Sequence, residues 1–350
     1  MDSESLPSTE PLHRSAHGAP SQSLPGAVYF DSQANAWVIS RFADVHAAFL
    51  EPNLCPVGVN PKNQVTAKDR DDQARMRTEA IEAMSPVRLA QWQSEFALQA
   101  LTIASALPAS RAIDVVGEFA RPWALTVAVQ VTGADKKDAQ RLAHLAAQVS
   151  ASTANPDDSS LKAPAEAAGA ELNEALKHGA VPMAGPAFVG LSQTLPCLLA
   201  NVWHALLQHP RELERLHDDP DLVPRALEEL LRFAGLVNVL HRQAIEDVKL
   251  VGTSVKAGQR LRLMIQPAHR DREQFSSPDE MDFSRRVTRH FAFGAGAHSC
   301  AAAPLLRMAL GVATRSFVTH FTAAEAPAAV WRGGAIFRWP APLYATRRIG

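Results

Sequence analysis

The run Phe293-Gly294-Ala295-Gly296-Ala297-His298-Ser299-Cys300 constrains this chain more than any other stretch. A glycine-rich segment passes at once into the helical pattern of residues 301–310, so Cys300 stands where a loop meets a helix N-terminus. The first N–H groups of a helix are unpaired and its dipole is positive there, which favours a thiolate over a thiol. Pro304 suits the first turn, where a missing N–H costs little. A cysteine taken by itself is most often a small buried hydrophobe. The residues around this one argue for a reactive sulfur instead. Gly294-Ala295-Gly296 could also open a dinucleotide-binding turn, but Ser299 replaces the third glycine and no downstream strand carries an acid.

A second pattern lies upstream. Arg225-Ala226-Leu227-Glu228-Glu229-Leu230-Leu231-Arg232 carries Glu229 and Arg232 three residues apart, on one helix face. Read locally, such a pair is a solvated surface contact. Apolar residues at Leu195, Leu198, Leu199, Val202 and Leu206 repeat with helical spacing, while short strand-like pieces fall near 28–41, 248–254 and 335–346. The pattern predicts a mainly α chain with small β-sheets. With 350 residues, 47% apolar, it can bury a large core. No apolar run is long enough to span a bilayer. Residues 1–25 are polar and rich in Ser and Pro, without a signal-peptide core, and are expected to form a disordered leader. Three cysteines far apart suggest a reducing, cytoplasmic setting. A formal net charge of −1 gives no footprint for nucleic acid.

From Phe293 to Arg307 the chain resembles the haem-binding signature of the cytochrome P450 superfamily: Phe, two residues, Gly, one residue, Arg or His, one residue, Cys, one residue, Gly or Ala. Phe293, Gly296, His298, Cys300 and Ala302 fill it in register, and Leu305-Leu306-Arg307 is similar to the Leu-Ala-Arg that follows. Glu229 and Arg232 then resemble the family's Glu-x-x-Arg, a buried ion pair braced by a third basic residue, which Arg285 matches. Further similarity runs through His241–Leu250, the turn Lys256-Ala257-Gly258-Gln259, and His269-Arg270-Asp271. It extends to Ala36–Val45 upstream and Trp331-Arg332-Gly333-Gly334 near the end. The resemblance implies one P450 domain over 26–350, with haem b (iron protoporphyrin IX) as cofactor.

It also implies roles. Cys300 becomes the iron ligand and Phe293 the ring that shields its sulfur. His298 and Arg242 meet haem propionates, although His298 read alone is an ordinary loop histidine. The family's His-x-x-x-Arg falls on Gln73 to Arg77. Arg77 keeps the propionate position, while Gln73 can donate a hydrogen bond but carries no charge. A charged, exposed helix edge explains the same composition. The distal Ala-Gly-x-acid-Thr falls on Gly190-Leu191-Ser192-Gln193-Thr194, so Thr194 sits where water is ordered beside bound oxygen and Gln193 replaces the proton-relaying carboxylate. An amide is no general acid near neutral pH. Pro196 lacks the N–H that would bond the Ser192 carbonyl, and two readings follow: the helix opens beside Gln193 and Thr194, or Thr194 is an N-cap and the helix begins at Leu195.

The stretch between Gly133 and Gly190, which roofs the site in the family, is short here. By family position the substrate pocket takes in Gly190, Val237, Asn238 and Val239, mostly apolar, which suits a medium-sized hydrophobic molecule. The leading expectation is a monooxygenase fed by a separate ferredoxin or flavodoxin and its reductase, in a biosynthetic setting, with no nucleic-acid or membrane partner. The alternatives are a peroxide-driven or otherwise atypical enzyme (coupling, desaturation, rearrangement) and a non-catalytic haem-binding or docking protein.

Overall fold

The computed structural model describes residues 28–57, 67–286, 289–325 and 327–348. The leader expected over 1–25 lies outside the described residues. Helices dominate: α1 (Phe42–Leu50), α2 (Ala67–Glu82), α3 (Pro86–Ala106), α4 (Arg121–Thr132), α5 (Ala139–Ala154), α6 (Lys162–Ala175), α7 (Ala184–Val189), α8 (Leu195–Gln208), α9 (Pro210–Asp218), α10 (Val223–Ala234), α11 (Ile265–Ala268) and α12 (Ala303–His320). The strands are β1 (Val28–Asp31), β2 (Ala36–Ile39), β3 (Leu54–Pro56), β4 (Ala112–Asp114), β5 (Val239–Ala244), β6 (Val248–Leu250), β7 (Thr253–Val255), β8 (Arg260–Met264), β9 (Phe321–Ala323), β10 (Trp331–Gly333), β11 (Arg338–Pro340) and β12 (Tyr344–Arg347). The largest sheet runs β1-β2-β8-β5-β3, and β2 with β8 is its parallel pair.

α8 is buried on nearly every side, as a helix that is apolar all round must be. Its Trp203 stacks between Phe119 (5.3 Å) and Phe317 of α12 (4.6 Å), which locks the central helix to the one that follows the cysteine loop. Leu195, Leu199, Val202 and Leu206 are wholly buried in the same cluster. Each such side chain contributes about 1.5–3 kcal/mol by leaving water.

Between α7 and α8 the chain stays helical. Thr194 has φ −78° and ψ −42° and its side chain caps nothing, so the N-cap alternative falls. The Leu195 N–H reaches back five residues to the Gly190 carbonyl, forming a π-helical turn over Gly190–Thr194. Pro196 explains it: with no N–H to give and a ring to accommodate, it forces the preceding turn to widen. The expected short roof is also present. After α6, residues 176–183 return to α7 without another helix, held by the Ala180 N–H on the Thr132 carbonyl (2.8 Å).

Candidate active site

The loop carrying Cys300 is shaped by its glycines. Gly294 (φ 68°) and Gly296 (φ 67°) are left-handed, and a Cβ on Gly296 would lie 2.4 Å from the Phe49 carbonyl oxygen. Only glycine lets α1 approach the loop so closely. The Cys300 N–H then donates to the Phe293 carbonyl (2.8 Å), closing the loop back on itself. α12 begins at Ala303, later than the sequence pattern suggests. Burial pushes the Cys300 thiol up, against a backbone N–H from Ala302 and the charges of Arg77 and Arg307. The expectation that the helix N-terminus favours a thiolate is therefore not met by the protein alone: α12 starts three residues beyond Cys300, and desolvation is the largest influence on the thiol.

Cys300 lines a cavity of about 230 Å³ between the start of α12 and the π-helical turn. Its walls are apolar and include Gly190, Leu191, Met84, Val181, Met183 and Leu305. Gly190 and Cys300 thus face one space, as expected. Val237, Asn238 and Val239 are not part of it. β5 pairs with β8 and turns Val239 into a small core with Met264 and Ile336, while the Asn238 backbone bridges the Ile336 carbonyl and the Ile265 N–H (both 2.9 Å). The roof loop supplied lining residues that sequence reasoning missed, Val181 to Met183 among them; nothing local marks them as such.

Beside the loop stands a cationic cluster. Arg242 is only 6% exposed, yet its one hydrogen bond among the described residues goes to the His241 carbonyl (3.0 Å), and its guanidinium lies 5.6 Å from the Phe49 ring centroid. Burial lowers its pKa. Arg77 donates to the carbonyl and the hydroxyl of Ser299, the latter at 2.8 Å. His298, at the exposed tip, has its pKa lowered by partial burial and by the nearby charges of Arg242 and Arg77. Among the described residues no carboxylate pairs with Arg242. A buried, uncompensated cation is costly unless an anion joins it, and a thiol, an apolar cavity and such a rim fit a haem with its propionates. Gln73 lies on α2, its side chain outside those described.

The distal residues part company. Gln193 Nε2 donates to the Ala143 carbonyl of α5 (3.2 Å) and to Ser192 Oγ (3.3 Å), tying the π-helical turn to the roof. Cys197 Sγ donates to the Gln193 carbonyl (3.1 Å), and burial pushes this thiol up to about 12. Thr194 is half-buried beside them and does not line the cavity.

The structural triad assembles as expected from the resemblance. Arg232 holds both Glu229 oxygens at 2.7 Å, both side chains being essentially unexposed, and Arg285 Nε meets Glu229 at 3.2 Å. A second cluster escaped sequence reasoning. Glu228 accepts from Arg307 Nε (2.7 Å) and meets His290 Nε2 (2.8 Å), partners 79 and 62 residues away. Burial raises the Glu228 pKa, but hydrogen bonds from His290 and Arg307 and their charges outweigh it and hold the carboxyl at about 2, against an ordinary 4.5. A depressed folded-state pKa stabilises the fold above the unfolded value, and that part is lost as pH falls from 4.5 through about 2. Glu228→Gln should therefore lose less stability than wild type between about pH 5 and 3, checked by urea unfolding at both.

The family described as Cytochrome P450 matches residues 216–329. Nocardicin C N-oxygenase of Nocardia uniformis subsp. tsuyamanensis is 40% identical over 149 residues, a match covering 41% of this chain and 37% of that protein. The polyketide biosynthesis cytochrome P450 PksS of Bacillus subtilis (strain 168) is 28% identical over 340 residues, covering 83% of each. In fold, the crystal structure of CalO2 matches with a TM-score of 0.80 over 92% of this chain and 93% of that one, at 23% identity. The match thus spans little more than a third of the nocardicin oxygenase and most of PksS.

Proposed function

The chain belongs to the cytochrome P450 superfamily, and from that premise we propose that it is a haem-thiolate monooxygenase acting on a medium-sized, largely apolar molecule. The observation that carries this reading is Cys300 on an apolar cavity wall, beside a buried Arg242 with no carboxylate partner among the described residues. Haem b is the form we propose, and its two propionates would answer Arg242, Arg77 and His298. A thiolate-held haem supplies electron density that favours O–O cleavage.

The chain's own part is to bind, orient and exclude water. Cys300 would be the ligand, and Phe293, whose carbonyl closes the loop onto the Cys300 N–H, would shield it. Gly190 and Leu191 leave room on the distal side. Thr194 ends the widened turn and lies outside the cavity lining, so its water-ordering role rests on the resemblance alone. Gln193 cannot pass a proton, and its amide is engaged on α5. The low polarity of the cavity suits a hydrophobic substrate with few anchors. Electrons come from a separate ferredoxin or flavodoxin with its reductase, through a small, charge-steered contact. We place the protein, one domain over residues 26–350, in the cytoplasm of a biosynthetic pathway, as PksS is named for polyketide biosynthesis.

A peroxide-driven reaction is the second reading, favoured by the missing carboxylate at Gln193. The ferrous carbon-monoxide spectrum of the purified protein tests the first claim: a thiolate-type band is expected, and its absence would overturn the assignment of Cys300. Soret titration with a compound library should then show one apolar class shifting the band. Turnover of a responding compound separates the two readings. Gln193→Glu should raise the oxygen-driven rate about 10²-fold or more if proton supply limits it and leave the peroxide-driven rate unchanged; no response with oxygen would favour the peroxide reading.

A further inference from the structure

We propose that Glu228 is a positioning residue that sets the charge felt by the Cys300 sulfur, by holding Arg307 across the ring of Phe293 and offsetting that guanidinium's charge. This rests on the haem-thiolate reading. Arg307 lies 4.8 Å from the Phe293 ring centroid, within the range of a cation–π contact. Glu228 grips it at two points, Nε at 2.7 Å and Nη2 at 3.2 Å. Phe293 is the residue whose carbonyl receives the Cys300 N–H. The cation thus lies on the ring of the residue whose backbone closes onto Cys300.

The same carboxylate holds the other side of the loop. His290 Nδ1 faces the Ala292 N–H at 3.1 Å, so it accepts there and the ring proton sits on Nε2. Nε2–H then donates to Glu228 at 2.8 Å. Glu228 therefore fixes Ala292, next to Phe293, as well as the guanidinium over the ring. Charge balance follows from the arrangement. Arg307 alone would place an uncompensated cation on the cysteine loop; with Glu228 the pair is close to neutral.

Adding an electron to the site adds negative charge, which a nearby cation favours. Four proteins test the idea: wild type, Glu228→Gln, Arg307→Gln and the double variant, each followed by ferrous carbon-monoxide spectra and by spectroelectrochemical titration of the ferric–ferrous equilibrium. Glu228→Gln should shift that equilibrium about tenfold toward the ferrous form, which is ~59 mV for one electron. Arg307→Gln should shift it the opposite way, and the double variant should return close to wild type. A purely structural role moves both single variants in one direction and the double variant further, and that result would overturn the proposal. If Glu228→Gln fails to hold haem, Arg307→Lys against Arg307→Gln decides: the lysine keeps the charge and should stay near wild type, and equal shifts in both would count against it. A wild type without a thiolate band brings down the haem-thiolate reading, and this inference with it; a normal wild type with unmoved variants brings down this inference alone.

Discussion

Replacing Cys300 with serine is expected to abolish the thiolate-type carbon-monoxide band and reduce substrate oxidation to below detection, with the fold retained. Serine is nearly isosteric, and the backbone bond from residue 300 to the Phe293 carbonyl does not use the side chain. What changes is the donor. Burial already raises the Cys300 thiol, and a hydroxyl in the same place would be harder still to ionise. The thiol can be brought to its anion by a metal, which displaces the proton; the hydroxyl supplies no comparable soft ligand. Haem content, the carbon-monoxide spectrum and a urea unfolding curve measure the three parts separately. A retained thiolate band would exclude Cys300 as ligand, and loss of the cooperative unfolding transition would mean that the side chain holds the loop as well.

Retention of the fold is expected because the loop is pinned from several directions that do not involve sulfur. α1 presses the Phe49 carbonyl against Gly296. Arg77 of α2 holds Ser299. His269 Nε2 accepts the Phe291 N–H at 2.8 Å, and Glu228 reaches Ala292 through His290. A ligand held to within a fraction of an ångström needs supports of this kind. They come from elements distant in sequence and meet only in the fold.

That distance decides what the sequence could reveal. The cysteine loop was legible because its glycines, histidine and cysteine are contiguous, and the Glu229–Arg232 pair because three residues on a helix make one face. The burial of that pair was not visible locally, where a surface contact was the default reading. The choice at Thr194 stayed open because Pro196 is compatible with a helix start and with a widened turn alike; only the backbone angles separate them. Glu228 gave no signal at all, since its partners lie 62 and 79 residues away. The pocket residues Val237, Asn238 and Val239 were placed by family position, and strand pairing with β8 directs Val239 into core packing instead. The resemblance makes Gln193 a missing proton relay; the structure adds that its amide ties the π-helical turn to α5.

Arg232→Ala is expected to destabilise the protein by about 3–5 kcal/mol, the range for breaking a buried ion pair by removing one partner. The guanidinium has no exposed surface and makes contacts beyond Glu229: the His269 carbonyl at 2.7 Å, the Pro278 carbonyl at 2.8 Å and the Glu280 carbonyl at 3.2 Å. Alanine leaves Glu229 with Arg285 (3.2 Å) and the Asp282 N–H (3.1 Å) and leaves the carbonyls short of a donor. The damage reaches the cysteine loop by one residue, because His269, whose carbonyl Arg232 holds, also accepts the Phe291 N–H. Exchange of the Phe291 amide should therefore accelerate along with the fall in unfolding free energy. Arg232→Lys should recover little, since a point charge cannot span the carboxylate and three carbonyls as the planar fork does. The exposed pair Arg141–Glu171 (2.6 Å) is the control, and Arg141→Ala should cost no more than about 1 kcal/mol. Urea unfolding of the three variants decides the point: a cost for Arg232→Ala as small as for Arg141→Ala would mean that neighbouring groups or water replace the guanidinium, and that the loop draws its rigidity from Glu228 and Phe49 instead.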